Sequence, residues 1–305
     1  MLAVRLLRKF GNQSFPGVSS EKFRVEYYGA GDAPEGKTWE QHMQEGTLLV
    51  GIGGGPFDEH PTAAGEERKR RESACSLMAK HLGMEKHPVY KRLVDLVTDA
   101  DQAGVDELHI ANRIKTRYRL YPDDPRKAMI LAWDILDDWE AEQRLFISAQ
   151  RHLDSLAGGE AHRHATGPEG KIDVVFAESD NFKLSAAARS RKIAVLVQRH
   201  SEGNVQIFSS VHTLSFDMKF VVAELRRLEM AARGMTKAAI KKIDPDYLCR
   251  EGKITEVPQW YYQVPGQNIL NGSEAAPDTE ATEIPPCKIL EAVTKNVFAN
   301  RLSLV

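Results

Sequence analysis

The sequence predicts an α/β protein: an N-terminal domain with a largely parallel sheet flanked by helices, and a smaller C-terminal domain of α+β type. Three observations predict it. The apolar run Thr47-Leu-Leu-Val50 has no polar alternation and ends in glycines, as an interior parallel strand running into a loop does. Helical periodicity dominates the stretch that follows, above all from Asp124 to Leu156. After Ala161 to Gly170, which holds glycine, proline and two histidines, the pattern changes to short apolar runs joined by turns.

In chain order, Leu2, Leu6 and Phe10 share a helical face with basic residues between, which predicts a short amphipathic helix packed on a sheet. Phe23 to Tyr28 alternates as a strand does, and Thr47 to Ile52 is the next strand. Glu66 to Leu82 has helical spacing and stops at Gly83. Pro88 opens a helix through Leu93 and Val97 towards Gly104, and a further helical pattern runs from Val105 to about Tyr118. Asp124-Pro125 is an N-cap and first-position pair for the longest helix. These elements make a domain over residues 1–160, closed by the linker that carries His162 and His164.

Residues 171–273 form the second domain. Ile172 to Phe176, Ile193 to Val197 and Val205 to Phe208 read as strands, the last two joined by the hairpin turn Ser201-Glu-Gly-Asn204. Phe216 to Met230 is an amphipathic helix, and Trp260 to Val264 with Ile269 to Ser273 completes the unit. In residues 274–305 an acidic, proline-bearing mobile segment precedes a helix from about Lys288 to Leu302.

Composition narrows the function classes. With 42% hydrophobic and 28% charged residues over 305 positions, the chain is an ordinary soluble protein with enough apolar mass for a sizeable core. Its 41 basic and 43 acidic residues give a net charge of −2, so a nucleic-acid partner has to be held by local patches. Cys75, Cys249 and Cys287 are far apart and unpaired in sequence, which argues against a disulfide framework or structural zinc and for a reducing, cytoplasmic compartment. No apolar stretch is long enough for a membrane span.

The densest chemistry follows the glycines, at Asp58-Glu59-His60. A dinucleotide fingerprint fails because Pro56 stands where the third glycine belongs, and no Gly-Lys-Ser/Thr follows for a phosphate loop. An aspartate and a histidine two apart instead offer a carboxylate oxygen and an imidazole nitrogen to a metal. Asp95, Asp99 and Asp101 form a second acidic group, with Asp95 and Asp99 one helical turn apart. The competing reading is a solvated turn and exposed helix carboxylates.

The order Leu49-Val-Gly-Ile-Gly-Gly, Phe57-Asp-Glu-His60, then Val97-Thr-Asp-Ala-Asp101-Gln-Ala-Gly104 resembles the DHH phosphoesterase superfamily. Within it the chain is most similar to the metal-dependent exonuclease branch related to melanocyte-proliferating-gene proteins. The resemblance implies an α/β domain holding divalent ions, Mn2+ or Mg2+, and a C-terminal substrate-binding domain. It makes Asp58, His60 and Asp101 metal ligands, places Glu59 where the family has its first histidine, and puts Gly51 where the family has a strand aspartate. Met1 to Leu7 resembles the helix after the family's first His-x-Asp motif.

The implied activity is hydrolysis of phosphodiester bonds in RNA, DNA or a nucleotide, with Asp58, Glu59, His60 and Asp101 as catalytic residues. Phosphates would fall to Arg68 to Arg71, or to Arg113, Lys115, Arg117 and Arg119. In the C-terminal domain Arg199, His200, Asn271, Gly272 and Ser273 at strand ends are the substrate-binding candidates, with His212 a further polar group. Trp260-Tyr261-Tyr262 is either a base-stacking surface or a core strand. Two alternatives stay open: a relative without catalysis that binds a nucleotide, RNA or a protein, and a hydrolase using Asp58 and His60 as an acid/base pair without metal.

Overall fold

The computed structural model describes residues 1–29, 31, 33–60, 71–103, 109–167, 170–210, 217–273 and 275–299. The expected helix starts at Glu66, Val105 and Phe216, the cations Arg68, Lys69 and Arg70, and His212 lie outside the described residues. The chain divides into two compact units, Met1–Arg144 and Leu145–Val305. The division falls inside the longest helix, not at residue 160.

Unit 1 contains α1 (Leu2–Phe10), α2 (Trp39–Gln44), α3 (Ala74–His81), α4 (Lys91–Ala103), α5 (Ile110–Leu120) and the first part of α6 (Arg126–Leu156). Side chains of Thr38 and Gln41 close a capping box at α2, and Ser73 with Ser76 does the same at α3. The amphipathic helix at the N-terminus forms as expected, but it packs on another helix: α1 lies against α3, with Leu2, Leu6, Leu7, Met78 and Ala79 buried.

The expected parallel sheet of the N-terminal domain is not found; unit 1 has no strand among its described residues. Phe23, Val25 and Tyr27 are half-buried and Arg24, Glu26 and Tyr28 exposed, so the alternation reports burial correctly, yet the segment has no ladder partner among the described residues. In the Thr47 run the backbone groups pair locally. Thr47 N donates to His42 O (2.8 Å) and Gly51 N to Phe57 O (2.8 Å), which curls the chain away from a strand.

The middle of α6 carries an ion cluster around a buried carboxylate. Glu140 is 6% exposed and accepts hydrogen bonds from Lys9 Nζ (2.8 Å) on α1 and from Arg144 Nε (3.0 Å) one turn on. Burial pushes the Glu140 carboxyl up, but hydrogen bonds from Lys9 and Arg144, with the Tyr90 hydroxyl nearby, outweigh it and bring it down to about 2.

Unit 2 holds the sheet. Its elements are the last part of α6, β1 (His162–Gly167), β2 (Gly170–Glu178), α7 (Leu184–Ser190), β3 (Val195–Arg199), β4 (Val205–Ser209), α8 (Lys219–Ala232), α9 (Lys237–Ile240), α10 (Pro245–Leu248), β5 (Gly252–Ile254), β6 (Val257–Gln263), β7 (Asn268–Leu270) and α11 (Pro286–Asn296). The seven strands run in the order β1-β2-β3-β4-β7-β6-β5. Only β2 and β3 are parallel, with α7 as their crossover; every other pairing is antiparallel. Parity along the strands assigns the faces: Val174, Val195, Val197 and Ile207 join the core with α8 and α11, while Val175, Ala177 and Leu196 join Ala149, Leu153 and Ala187 on the other side.

Two expectations are corrected here. The segment read as a linker with mobile His162 and His164 is strand β1, registered against β2. The segment after residue 274 is pinned at its second half: Asn204 Nδ2 donates to Thr279 O (3.0 Å), Asn271 Nδ2 to Glu280 O (2.9 Å) and Arg233 Nη2 to Ala281 O (3.1 Å). Buried and half-buried amide and guanidinium donors take acceptors where they can, and this segment supplies them.

The ion cluster yields a pH signature. The Glu140 carboxyl falls from about 4.5 to about 2 on folding, so it adds stability above its unfolded value and loses it as pH drops through the folded one. That difference is worth about 3 kcal/mol. Glu140→Gln is expected to destabilise by an amount of this order at pH 7, and the gap from wild type to close between about pH 4.5 and 2 in denaturant titrations.

Candidate metal site

The glycine run is a folded turn. Gly51, Gly53 and Gly54 have φ of +74°, +79° and +71°, the left-handed region that side chains with a Cβ avoid. A Cβ on Gly53 would also sit 2.7 Å from Leu49 Cδ1, and one on Gly55 would sit 3.0 Å from the Trp39 ring. The glycine at position 51, where the resemblance expects an aspartate, therefore has a local cause: its left-handed backbone lets its amide reach Phe57 O.

This turn brings the acidic end back over its own start. Asp58 is 4% exposed, and its Oδ2 accepts from Gly54 N at 2.8 Å while Oδ1 accepts from His60 N at 3.0 Å. The His60 ring nitrogen Nδ1 lies 2.9 Å from the same Oδ1. Burial pushes the Asp58 carboxyl up, but the amides of Gly54 and His60 and the His60 ring outweigh it and hold it below the usual carboxylate range. An ionised carboxylate only accepts, so the Nδ1 that faces it carries a proton, on a ring that is 51% exposed.

Glu59 is buried as well, with Oε1 3.9 Å from His60 Nδ1. One ligand atom from each of Asp58, Glu59 and His60 falls within 4.8 Å of the others. Two carboxylates and one imidazole suit a single hard or borderline dication such as Mn2+ or Mg2+, the carboxylates matching its charge and the remaining positions left to water or substrate. They do not suit two ions, since three ligand groups leave most of four positive charges unanswered.

Asp101 does not join this group. It is exposed near the end of α4, as are Asp95, which pairs with Lys91 (2.5 Å), and Asp99. The neighbouring residues explain the helix end: Gln102 Nε2 donates to Glu72 O (2.9 Å), and the Thr98 hydroxyl lies 2.8 Å from that of Ser73. On α5, Arg113, Lys115, Arg117 and Arg119 are exposed, form no ion pair among the described residues, and stand beside exposed Tyr118, Leu120 and Tyr121. The Arg117 guanidinium and Lys127 Nζ lie 5.6 and 4.1 Å from the centroid of the Tyr121 ring.

Of the C-terminal candidates, Asn271 and Gly272 are engaged by the fold. Asn271 is fully buried, its Oδ1 accepting from Val205 N and Thr282 N and its Nδ2 donating to Gln259 O and Glu280 O. Gly272 has φ +80°, and a Cβ there would lie 2.6 Å from Asn204 Nδ2; Ser273 bridges to Ala276. Arg199 pairs with Glu178 (3.0 Å), and His200 Nδ1 lies 3.5 Å from Asp180. Trp260 and Tyr262 point into the core while Tyr261 is 38% exposed, so this is a core strand. All three cysteines are free, and burial pushes the Cys75 thiol up to about 12, far from a reactive thiolate.

A second group escaped the sequence reading: His162, His164 and Asp173, with ligand atoms within 4.8 Å of one another. The signal was present as His-x-His, but assigning the segment to a linker removed the strand parity that puts both rings on one face.

No protein-family model, no curated protein and no solved structure matches this chain.

Asp58→Asn replaces an ionised acceptor by an amide. It is expected to cost about 1–2 kcal/mol of stability and to weaken the contact that fixes the His60 Nδ1–H against Asp58. Imidazole nitrogen chemical shifts in NMR report the second effect directly.

Proposed function

We propose that this chain is a metal-dependent phosphoesterase that binds one divalent cation, Mn2+ or Mg2+, through Asp58, Glu59 and His60 and hydrolyses a phosphodiester of RNA, DNA or a nucleotide. The observation that carries the reading is the convergence of two buried carboxylates and a half-exposed imidazole within 4.8 Å, in a turn whose glycines admit the close approach. When bound, the cation supplies Lewis acidity and lowers the pKa of coordinated water. The chain's own groups do the rest. Asp58 holds the Nδ1 proton of His60 and fixes its ring, which leaves Nε2 as the nitrogen that would ligate the cation. Glu59 contributes the second negative charge and orients a ligand or water. The exposed cations of α5, with exposed aromatic side chains among them, supply local positive charge of the kind a phosphate backbone needs in a chain of net charge −2.

A second reading, a non-catalytic nucleic-acid or nucleotide binder, is favoured by two specific facts. Both Asp58 oxygens are already engaged by backbone amides, and Asp101 stands outside the group.

The two readings separate in one set of assays. Calorimetry with Mn2+ and hydrolysis of a chromogenic phosphodiester and short oligonucleotides are expected to show binding and turnover, both lost in His60→Ala and both abolished by chelation. Oligonucleotide binding without turnover would support the binder, and absence of both Mn2+ binding and turnover would remove the enzyme.

A further inference from the structure

We infer that His162, His164 and Asp173 form a second, separate metal site in unit 2, selective for a borderline transition dication such as Zn2+. The placement follows from the hairpin. Residues 162 and 164 are two apart on β1 and so face the same side, and the β1–β2 register sets His164 directly opposite Asp173. Asp173 Oδ1 lies 3.0 Å from His162 Nε2 and 2.9 Å from His164 Nδ1, and the two ring centroids are 4.9 Å apart. Two imidazole nitrogens and one carboxylate oxygen converge on one point, and all lie within 4.8 Å.

The donor set decides the ion. Imidazole-rich sites favour Zn2+, Cu2+, Ni2+ or Co2+ over Mg2+, Mn2+ and Ca2+, the opposite bias to the carboxylate-rich Asp58 turn. Three protein ligands leave a fourth position of a tetrahedral ion open, and the side chains of His162, His164 and Asp173 are 17%, 53% and 41% exposed, so that position faces water. This is the layout of a site that exchanges ligands.

Ligation rearranges protons within the rings. In the metal-free hairpin both imidazoles direct a ring nitrogen at the same carboxylate oxygen. A cation in that position moves the ring protons to the opposite nitrogens. For His164 the opposite nitrogen lies on a half-exposed ring, where the change costs little. For His162 it is Nδ1, which accepts a hydrogen bond from Gly158 N at 3.1 Å. That amide must turn aside, and Gly158 sits in an exposed turn with φ +74° and no atom within 4 Å of where its Cβ would be. Metal binding is thereby coupled to the turn that follows α6.

The test is titration of the full chain with Zn2+ by calorimetry and with Co2+ by visible absorption. One Zn2+ per chain is expected at this site, with ring signals of His162 and His164 shifting in NMR. His164→Ala and Asp173→Asn are each expected to weaken it by about tenfold or more, with unchanged circular dichroism, while His60→Ala leaves it unchanged. Absence of Zn2+ binding, or binding that persists with the same affinity when His164→Ala and Asp173→Asn are combined with His60→Ala, would overturn the assignment whatever the fate of the Asp58 site.

Discussion

The Arg226 guanidinium on α8 has no exposed surface, and no carboxylate pairs with it among the described residues. Burial pulls it down to about 10, and it keeps its charge by donating to four main-chain oxygens, those of Leu248, Arg250, Gly252 and Trp260. Those acceptors lie at the end of α10, between it and β5, and in β5 and β6, so one side chain joins three elements. One turn on, buried Glu229 accepts from Trp260 Nε1, Arg233, the Thr282 hydroxyl and Glu283 N, and fixes the approach to α11. A buried charge must be answered by dipoles or a counter-charge, and answering these two dictates how the C-terminal half of the sheet is closed.

The same constraint operates in unit 1. Glu140 is answered by Lys9 and Arg144, which ties α1 to α6. Asp58 is answered by amides two and four residues away, which is possible only because the glycines before it adopt left-handed backbone. The Asp58 turn differs in one respect that matters for chemistry. Its buried carboxylates sit beside an imidazole that is half in water, so the charge held there remains within reach of an outside ion.

Much of this was legible from local pattern. Strands β2, β3 and β4, the hairpin at Ser201 to Asn204, the amphipathic α8 and the long α6 all follow from periodicity and turn chemistry, because packing agrees with local preference there. The glycine run was legible as a turn, and one ligand atom from each of Asp58, Glu59 and His60 lies within 4.8 Å of the others. What failed did so for one physical reason: strand character depends on a partner, and sequence periodicity reports only burial. Phe23 to Tyr28 alternates without pairing, whereas His162 to Gly167 pairs although its composition reads as a linker. Asn271 and Gly272 look like phosphate-binding loop residues, and only the long-range bonds to Val205, Thr282 and Glu280 show that they close the fold.

The central claim is that the Asp58 turn is a cation site built by a self-capping loop. X-ray diffraction from crystals grown with Mn2+, recorded at the manganese absorption edge, tests it most directly. The account predicts a single anomalous peak at coordination distance from oxygens of Asp58 and Glu59 and a nitrogen of His60. A peak that touches none of the three, or no ordered manganese in the chain, would contradict it.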